Sequence, residues 1–185
     1  GYEVTYIDVD ENGVIDLEQL ENSIRKDTVI VSIMYANNET GVKQPIEEIG
    51  QILENTDIIF HTDAVQAMCK EKIFPKDLKI GAMTVTAHKF YGPKGAGFVY
   101  LDNKFQVEKE IWGGSQERNR RAGTENLAAI VGMIAALKED LEQQAEHYQK
   151  LEGLKSAFLD EIADLEYYLN ESQHQLPYVI NIGFP

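Results

Sequence analysis

Polar residues that could do chemistry follow three apolar segments of strand length. They lie in Asn37–Gly41, in His61–Gln66 and in Thr86–Lys89. The carboxyl ends of parallel strands meet at one edge of a sheet, and ligands of such sheets bind there. We therefore predict that an amide, the carboxylate of Asp63 and the amine of Lys89 point toward one rim.

Each group also has a plain structural interpretation. Asn and Gly in Asn37–Gly41 favour a turn, Asp63 could cap a following helix, and Lys89 could be a solvated lysine. The run Gly92–Gly97 is rich in glycine but lacks the Gly-Lys-Ser/Thr ending of a phosphate-binding loop, so we predict a tight turn. Taken one at a time, these alternatives stay open.

A lysine and an acid on separate strand ends suit pyridoxal phosphate (PLP). This cofactor needs a lysine amine for a Schiff base and an acid that faces its pyridine nitrogen. The acid keeps the nitrogen protonated, since a nearby opposite charge shifts a pKa by about 1–3 units. The lysine must lose its proton to become nucleophilic, which a buried, positively charged setting favours. Asp63 and Lys89 fit these two roles.

The elements that must position these residues form a simple pattern. Apolar runs of strand length alternate with helical patterns, which predicts an α/β fold with a mostly parallel sheet flanked by helices. Strands are predicted over Thr28–Met34, Thr56–His61, Met83–Thr86 and Gly97–Leu101. Helices are predicted over Asp16–Arg25, from Pro45 through Leu53, and from about Thr124 to Leu169 with a bend near Gly153.

Composition excludes several classes of function. The 185 residues carry 31 acids and 17 bases, a formal charge of -14, which argues against nucleic acid or an anionic membrane as the main partner. No run approaches the roughly 18 apolar residues of a membrane span. A single cysteine, Cys69, forms no internal disulfide, which predicts a reducing, cytoplasmic setting. His61 and His88 have no metal-ligand spacing, so core or stacking roles are expected for them, and no metal.

Four motifs in family order carry a resemblance to a known family. Together they resemble the cysteine desulfurases of the NifS/IscS-like group, within the class V aminotransferases of PLP fold type I. The resemblance runs over nearly the whole chain. The motifs are Ala36–Gly41, His61–Gln66, His88–Gly95, and Gly113–Arg118 with Arg121–Thr124.

This resemblance implies a role for each matching residue. Lys89 resembles the Schiff-base lysine, which is catalytic, and Asp63 resembles the acid paired with the pyridine nitrogen. Asn38 and Gln66 resemble the groups near the phenolic oxygen of the ring.

The phosphate of the cofactor has its own expected ligands. Thr86 and His88 resemble phosphate ligands, with Thr in place of the more familiar Ser. Thr124 is similar to a residue that reaches the phosphate of the neighbouring subunit, which implies a homodimer.

The resemblance also implies a domain division. Residues 1–175 match a PLP-binding large domain that lacks its N-terminal part, and 176–185 match the start of a small C-terminal domain. Strand-like runs at Gly1–Ile7 and Val179–Ile182 lie at the two ends, so we expect a segment of a longer protein. In the family, a ring-stacking histidine precedes this segment and a sulfur-carrying cysteine follows it. Cys69 is not that cysteine; we expect a small, partly buried thiol on a helix after Asp63.

The implied activity is conversion of L-cysteine to L-alanine, with sulfur passed to an enzyme cysteine for iron–sulfur cluster assembly or thiolation. The expected partners are L-cysteine and a sulfur-acceptor or scaffold protein. The 185 residues by themselves are expected to release no sulfur. Two alternatives remain: another class V enzyme, such as a selenocysteine lyase or a transaminase, and a non-catalytic truncated segment.

Overall fold

The computed structural model describes residues 1–185 as a sheet covered by helices on one face. The strands are β1 Ile30–Ser32, β2 Ile59–Asp63, β3 Ala82–Thr86, β4 Gly97–Leu101, β5 Tyr168–Leu169 and β6 Ile182–Gly183. The helices are α1 Leu17–Ser23, α2 Ile46–Leu53, α3 Gln116–Asn119, α4 Leu127–Glu142 and α5 Gln144–Glu161, with a 3₁₀ helix at Ala87–Phe90. None of these helices is long and apolar enough to cross a membrane.

The main sheet has the order β1-β2-β3-β4. The strands β1, β2 and β3 run parallel, and β4 returns antiparallel to β3. A second, two-stranded sheet pairs β5 with β6. The predicted α/β class with a mostly parallel sheet is confirmed. Because three neighbouring strands are parallel, their carboxyl ends share one edge, which we call the rim.

The two faces of the main sheet differ in burial. On one face, buried side chains that include Val31, Phe60 and Met83 pack with the buried apolar side chains of α2 in a single core. The opposite face, which we call the open face, is largely accessible and changes character along the strands. Its rim half is polar on β1, β2 and β3, with Ser32, His61, Asp63, Thr84 and Thr86, and its other half is apolar, with Ile30 and Ile59 among its members.

Helix α2 shows why this core forms. Its residues Ile46, Ile49 and Leu53 recur at helical spacing and are almost fully buried. Gly50 lies on the same helix, where a side-chain carbon would collide with the carbonyl of Leu78. The absence of a side chain therefore lets the segment before β3 pack directly against α2.

Three predicted boundaries are wrong, for identifiable reasons. The helical region is broken at Gln143 rather than near Gly153, because the backbone of Gln143, with a ψ of 4°, departs from helical geometry between α4 and α5. Gly153 is exposed and open on all sides, so it is accommodated inside α5. Helix α5 ends at Glu161, and the rest of the predicted helix holds β5. The run Gly1–Ile7 forms no strand.

One polar atom of the core has no partner. The hydroxyl of Thr62 in β2 is fully buried and makes no hydrogen bond. Leaving a buried polar group unsatisfied costs about 1–3 kcal/mol. We expect Thr62→Val to raise the free energy of unfolding by about 1 kcal/mol in equilibrium urea denaturation. Thr56→Val is the matched control, because its hydroxyl donates to Leu53 O at 2.8 Å, and it should lower that free energy. Destabilisation by Thr62→Val would contradict the assignment.

Candidate functional site

The rim is assembled by backbone hydrogen bonds between the ends of the three parallel strands. Tyr35 N, just beyond β1, donates to Asp63 O at 2.8 Å, and Ala64 N donates to Thr84 O at 3.0 Å. These bonds continue the ladders past the ends of β1 and β2. The turns that follow each strand are therefore held side by side, as the alternation of elements predicts.

Asp63 ends β2 and its side chain is exposed on the open face. One carboxylate oxygen, Oδ1, accepts from Val65 N at 2.9 Å, and no helix follows. The helix-cap interpretation is therefore wrong, and the contact is a local turn. The second oxygen, Oδ2, has no hydrogen-bond partner within the chain and is free to accept a ligand proton.

Lys89 lies in the short 3₁₀ helix that begins directly after β3. Its side chain is exposed and forms no ion pair. Just before Lys89 on the chain, the side-chain atoms Thr86 Oγ1 and His88 Nδ1 lie 3.0 Å apart. The 3₁₀ helix ends at Tyr91, whose φ of 65° is left-handed. A hydroxyl, an imidazole and an amine are thus brought together at one strand end.

The two adjacent asparagines after β1 have different surroundings. Asn37 closes the turn, because its Oδ1 accepts from Glu39 N at 2.8 Å and from Thr40 N at 2.9 Å. Asn38 makes no side-chain hydrogen bond and is exposed. The turn interpretation of this segment is correct for Asn37. Asn38 keeps its amide free, which suits the predicted role at the cofactor.

Gln66 follows Asp63 in the next turn and is partly fixed by a distant residue. The hydroxyl of Tyr178 donates to Gln66 O at 2.5 Å and to Gln66 Oε1 at 3.1 Å. Burial raises the pKa of Tyr178 to about 12, so the phenol remains a donor at neutral pH. The amide nitrogen of Gln66 is left available to donate. The domain boundary at residues 175 and 176 stays a prediction, as do the roles of these site residues.

Thr124 is separate from the other predicted residues. It is exposed in the connection between α3 and α4, and no hydrogen bond joins it to a strand end. The resemblance assigns Thr124 to the cofactor of a second subunit, so this separation leaves the predicted role open.

His61 was given a core or stacking role from the sequence and was not placed among the site residues. Its ring spans the three parallel strands, with Nδ1 2.8 Å from Ser32 Oγ and Nε2 3.4 Å from Thr84 Oγ1. Burial lowers the pKa of this imidazole, an effect that the nearby charge of Asp63 partly opposes. A neutral ring therefore lies beside the carboxylate. The signal in the sequence was the spacing of two between His61 and Asp63, which puts both on one face of β2.

The chemistry of this set of donors fits PLP. A carboxylate with a free oxygen, an exposed unpaired amine, a hydroxyl–imidazole pair and two amides line one rim. The carboxylate could pair with a protonated ring nitrogen, and the amine could react with an aldehyde. The hydroxyl–imidazole pair could bind a phosphate, and the amides could donate to a phenolic oxygen. Each polar part of the cofactor thus has a group of matching charge or hydrogen-bonding type.

Cys69 was predicted on a helix, and that is wrong. It lies in the turn-rich connection between β2 and β3, with a left-handed φ of 65°. The composition of Ala67–Lys70 suits a helix, but hydrogen bonds from Lys70 N and Glu71 N to Ala67 O close a tight turn instead. The burial is more complete than predicted, since Cys69 is only 2% exposed.

We expect Cys69 to be unreactive in the folded protein. Burial raises the pKa of its thiol from 9.0 to about 12, and the thiolate is the reactive form. Alkylation by iodoacetamide at pH 8 should be about 10³-fold slower than in urea, because the thiolate fraction falls tenfold for each pKa unit. Mass spectrometry of the Cys69 peptide measures both rates. Equal rates in the two states would contradict this burial.

Comparisons with known proteins identify the family of this chain. The family model for aminotransferase class-V matches residues 1–185. Cysteine desulfurase IscS of Neisseria meningitidis (strain Z2491) is 45% identical over the whole chain, which covers 46% of that protein. Cysteine desulfurase IscS of Clostridium botulinum (strain Hall) is 42% identical, again over the whole chain, which covers 48% of it.

Solved structures give the same result. A NifS-like protein superimposes with a TM-score of 0.92 at 37% identity, over 96% of this chain and 49% of the other. The structure described as SspA in complex with cysteine gives a TM-score of 0.86 at 34% identity, over 100% of this chain and 52% of the other. The fold is therefore that of PLP fold type I.

The chain belongs to the class V aminotransferase family, a family of PLP-dependent proteins. It spans about half the length of the curated relatives that it matches.

Proposed function

We propose that this chain carries the cofactor-binding rim of a PLP-dependent cysteine desulfurase, which converts L-cysteine to L-alanine and passes sulfur to an enzyme cysteine. The observation that carries the proposal is the convergence of Asp63 and Lys89 at neighbouring strand ends, with free polar atoms. Relatives called cysteine desulfurase, at 41–45% identity over the whole chain, support the assignment.

Bound PLP supplies an aldehyde that reacts with amines and a ring that accepts electrons. Lys89 would supply the amine that binds the aldehyde and would also move the proton of the substrate α-carbon. Asp63 Oδ2 would hold the proton of the ring nitrogen. Asn38 and the amide of Gln66 would donate to the phenolic oxygen, and Thr86 with His88 would bind the phosphate.

The sulfur step needs a thiolate that this chain does not provide. A nucleophile must reach the substrate sulfur within about 3–3.5 Å. Cys69 is buried and its thiol pKa is raised to about 12, so it is a poor nucleophile. We propose that the attacking cysteine lies elsewhere in the full-length protein.

The test is an assay of the full-length protein with PLP, L-cysteine and a reductant. Alanine and sulfide should form in equal amounts, and the 185-residue chain in the same assay should form neither. Alanine from the 185-residue chain that survives Cys69→Ser would show that the essential chemistry lies within these residues. Its loss with Cys69→Ser would identify Cys69 as the nucleophile.

Another class V activity is the second candidate, because selenocysteine lyases and transaminases share the lysine and the acid. The same assay with L-selenocysteine, or with amino acids and a keto-acid acceptor, separates these activities. A turnover of L-cysteine at least tenfold below that of either alternative would replace the primary proposal.

We also propose that the full-length protein is a cytoplasmic homodimer in which Thr124 contacts the cofactor of the partner subunit. Exposure of Thr124 beside the basic residues Arg120 and Arg121 supports this, since a hydroxyl next to cations suits a phosphate. A crystal structure of the full-length protein with Thr124 far from every PLP phosphate would refute it. The sulfur-acceptor or scaffold protein proposed as its partner should retain sulfur from ³⁵S-labelled cysteine.

A further inference from the structure

A buried carboxylate lies next to the 3₁₀ helix that carries Lys89. Asp140 of α4 is 3% exposed, and it accepts from Lys70 Nζ at 3.2 Å and from His147 Nδ1 at 2.8 Å. A buried charge persists only when it is paired and hydrogen-bonded, so both contacts hold Asp140 in place. The position of Lys70 is fixed in return, because its side chain is only 14% exposed.

The ammonium of Lys70 also contacts the 3₁₀ helix. Its Nζ donates to the backbone carbonyl oxygen of Lys89 at 3.4 Å. It lies 5.6 Å from the ring centroid of Tyr91, within the range of a cation–π interaction. One charged group therefore touches the backbone of Lys89 and the side chain that ends the same helix.

Tyr91 needs such contacts because its backbone is strained. A left-handed conformation costs a residue other than glycine about 1–2 kcal/mol, and Tyr91 has a φ of 65°. The Tyr91 ring meets His147 edge to face, with ring centroids 6.5 Å apart. A four-residue 3₁₀ helix has little stability of its own, so these contacts from the connection after β2 and from α5 hold its end.

We propose that Lys70, held by Asp140, is a positioning residue for Lys89. The ion pair fixes the backbone from which the reactive amine extends, and it does so without touching the cofactor. The inference rests on the proposed role of Lys89 as the cofactor-linked lysine. An error of about 1 Å in the position of a reacting group can cost 10²-fold in rate, so a fixed backbone has a direct effect on turnover.

Three variants of the full-length protein test the inference. Lys70→Met removes the ammonium and keeps the apolar stem, and Lys70→Arg restores a charge and donors. The double variant of Lys70→Met with Asp140→Asn removes both charges, so that no buried charge is stranded and the protein can fold. Lys43→Met is the control, since Lys43 forms a part-buried ion pair with Glu71 at 3.0 Å, more exposed than that of Lys70, and makes no hydrogen bond to the 3₁₀ helix.

The first measurement is amide hydrogen exchange of the protein without PLP. Tyr91 N and Gly92 N both donate to Ala87 O, so they report on the 3₁₀ helix itself. Their exchange should become about tenfold faster or more in Lys70→Met and in the double variant, and should return toward wild type in Lys70→Arg. Lys43→Met should leave it unchanged.

The second measurement is the rate at which added PLP becomes attached to Lys89, followed by borohydride reduction and peptide mapping. That rate and kcat should fall about tenfold or more in the double variant, with KM for L-cysteine little changed. Unchanged exchange and attachment in the double variant would overturn the inference. Faster exchange that extends equally to the amides of β2 would also overturn it, because the variant would then have lost stability throughout the fold rather than in the 3₁₀ helix.

The two proposals fail in different ways. If borohydride fixes PLP on another lysine of the wild-type protein, the proposed role of Lys89 is wrong and the positioning inference falls with it. If PLP is fixed on Lys89 at wild-type rate in Lys70→Met and in the double variant, the positioning inference alone is wrong.

Discussion

Lys89→Ala in the full-length protein should abolish covalent attachment of PLP and lower kcat by about 10⁴-fold or more. The alanine removes both the amine that binds the aldehyde and the group that moves the α-proton. Loss of a residue that serves as both nucleophile and base usually costs at least this much. Borohydride reduction with peptide mapping, together with alanine formation from L-cysteine, measures the two effects.

Lys72→Ala is the control for this prediction, because Lys72 is exposed and forms no hydrogen bond or ion pair. Its turnover should equal that of the wild type. Cofactor that remains trapped on a different lysine of the Lys89→Ala protein would sink the assignment. Retention of the 3₁₀ helix in that variant would show that the loss is chemical, since its backbone bonds do not involve the amine.

Asp63→Asn should lower turnover between tenfold and about a thousandfold while PLP still binds. The amide keeps the shape and the contact to Val65 N, but removes the negative charge beside the ring nitrogen. A nearby opposite charge shifts the pKa of a group by about 1–3 units, and each unit changes the ratio of protonated to unprotonated ring nitrogen by a factor of ten. The ring nitrogen would then lose its proton near neutral pH, and the ring would accept electrons less readily.

The control for Asp63→Asn lies at the other end of the same strand. Asp57 precedes β2, is exposed, and has no side-chain partner. Asp57→Asn should leave both PLP binding and turnover unchanged. Near-normal turnover of Asp63→Asn would mean that Asp63 serves only the turn at Val65. If the turnover of Asp63→Asn does not fall further relative to wild type as the pH is raised, that result would argue against a protonated ring nitrogen.

The rim could be predicted from the sequence because each part of it follows an apolar strand. Apolar runs of strand length predicted β2 and β3, and the polar residues after those runs placed Asp63 and Lys89 at the strand ends. The alternation of elements was enough to make the strands parallel, so the two residues had to share an edge.

The surroundings of the rim were harder to predict because they depend on pairs far apart in the chain. The bond between Lys70 and Asp140 joins residues 70 positions apart. An isolated aspartate in an amphipathic helix gives no sign that it is buried. The turn at Cys69 was missed for a related reason: local composition favours a helix, but tertiary packing overrides such weak preferences.

The open face of the sheet also limits the size of molecule that this rim can hold. On β2 the polar part is two side chains long, from His61 to Asp63, a span of about 7 Å at roughly 3.3 Å per residue. Across β1, β2 and β3 it is two strand spacings wide, or about 10 Å. Such a footprint accommodates one substituted aromatic ring, whereas the second nucleotide of a dinucleotide would extend over the apolar half, where Ile30 and Ile59 offer its charges no partner.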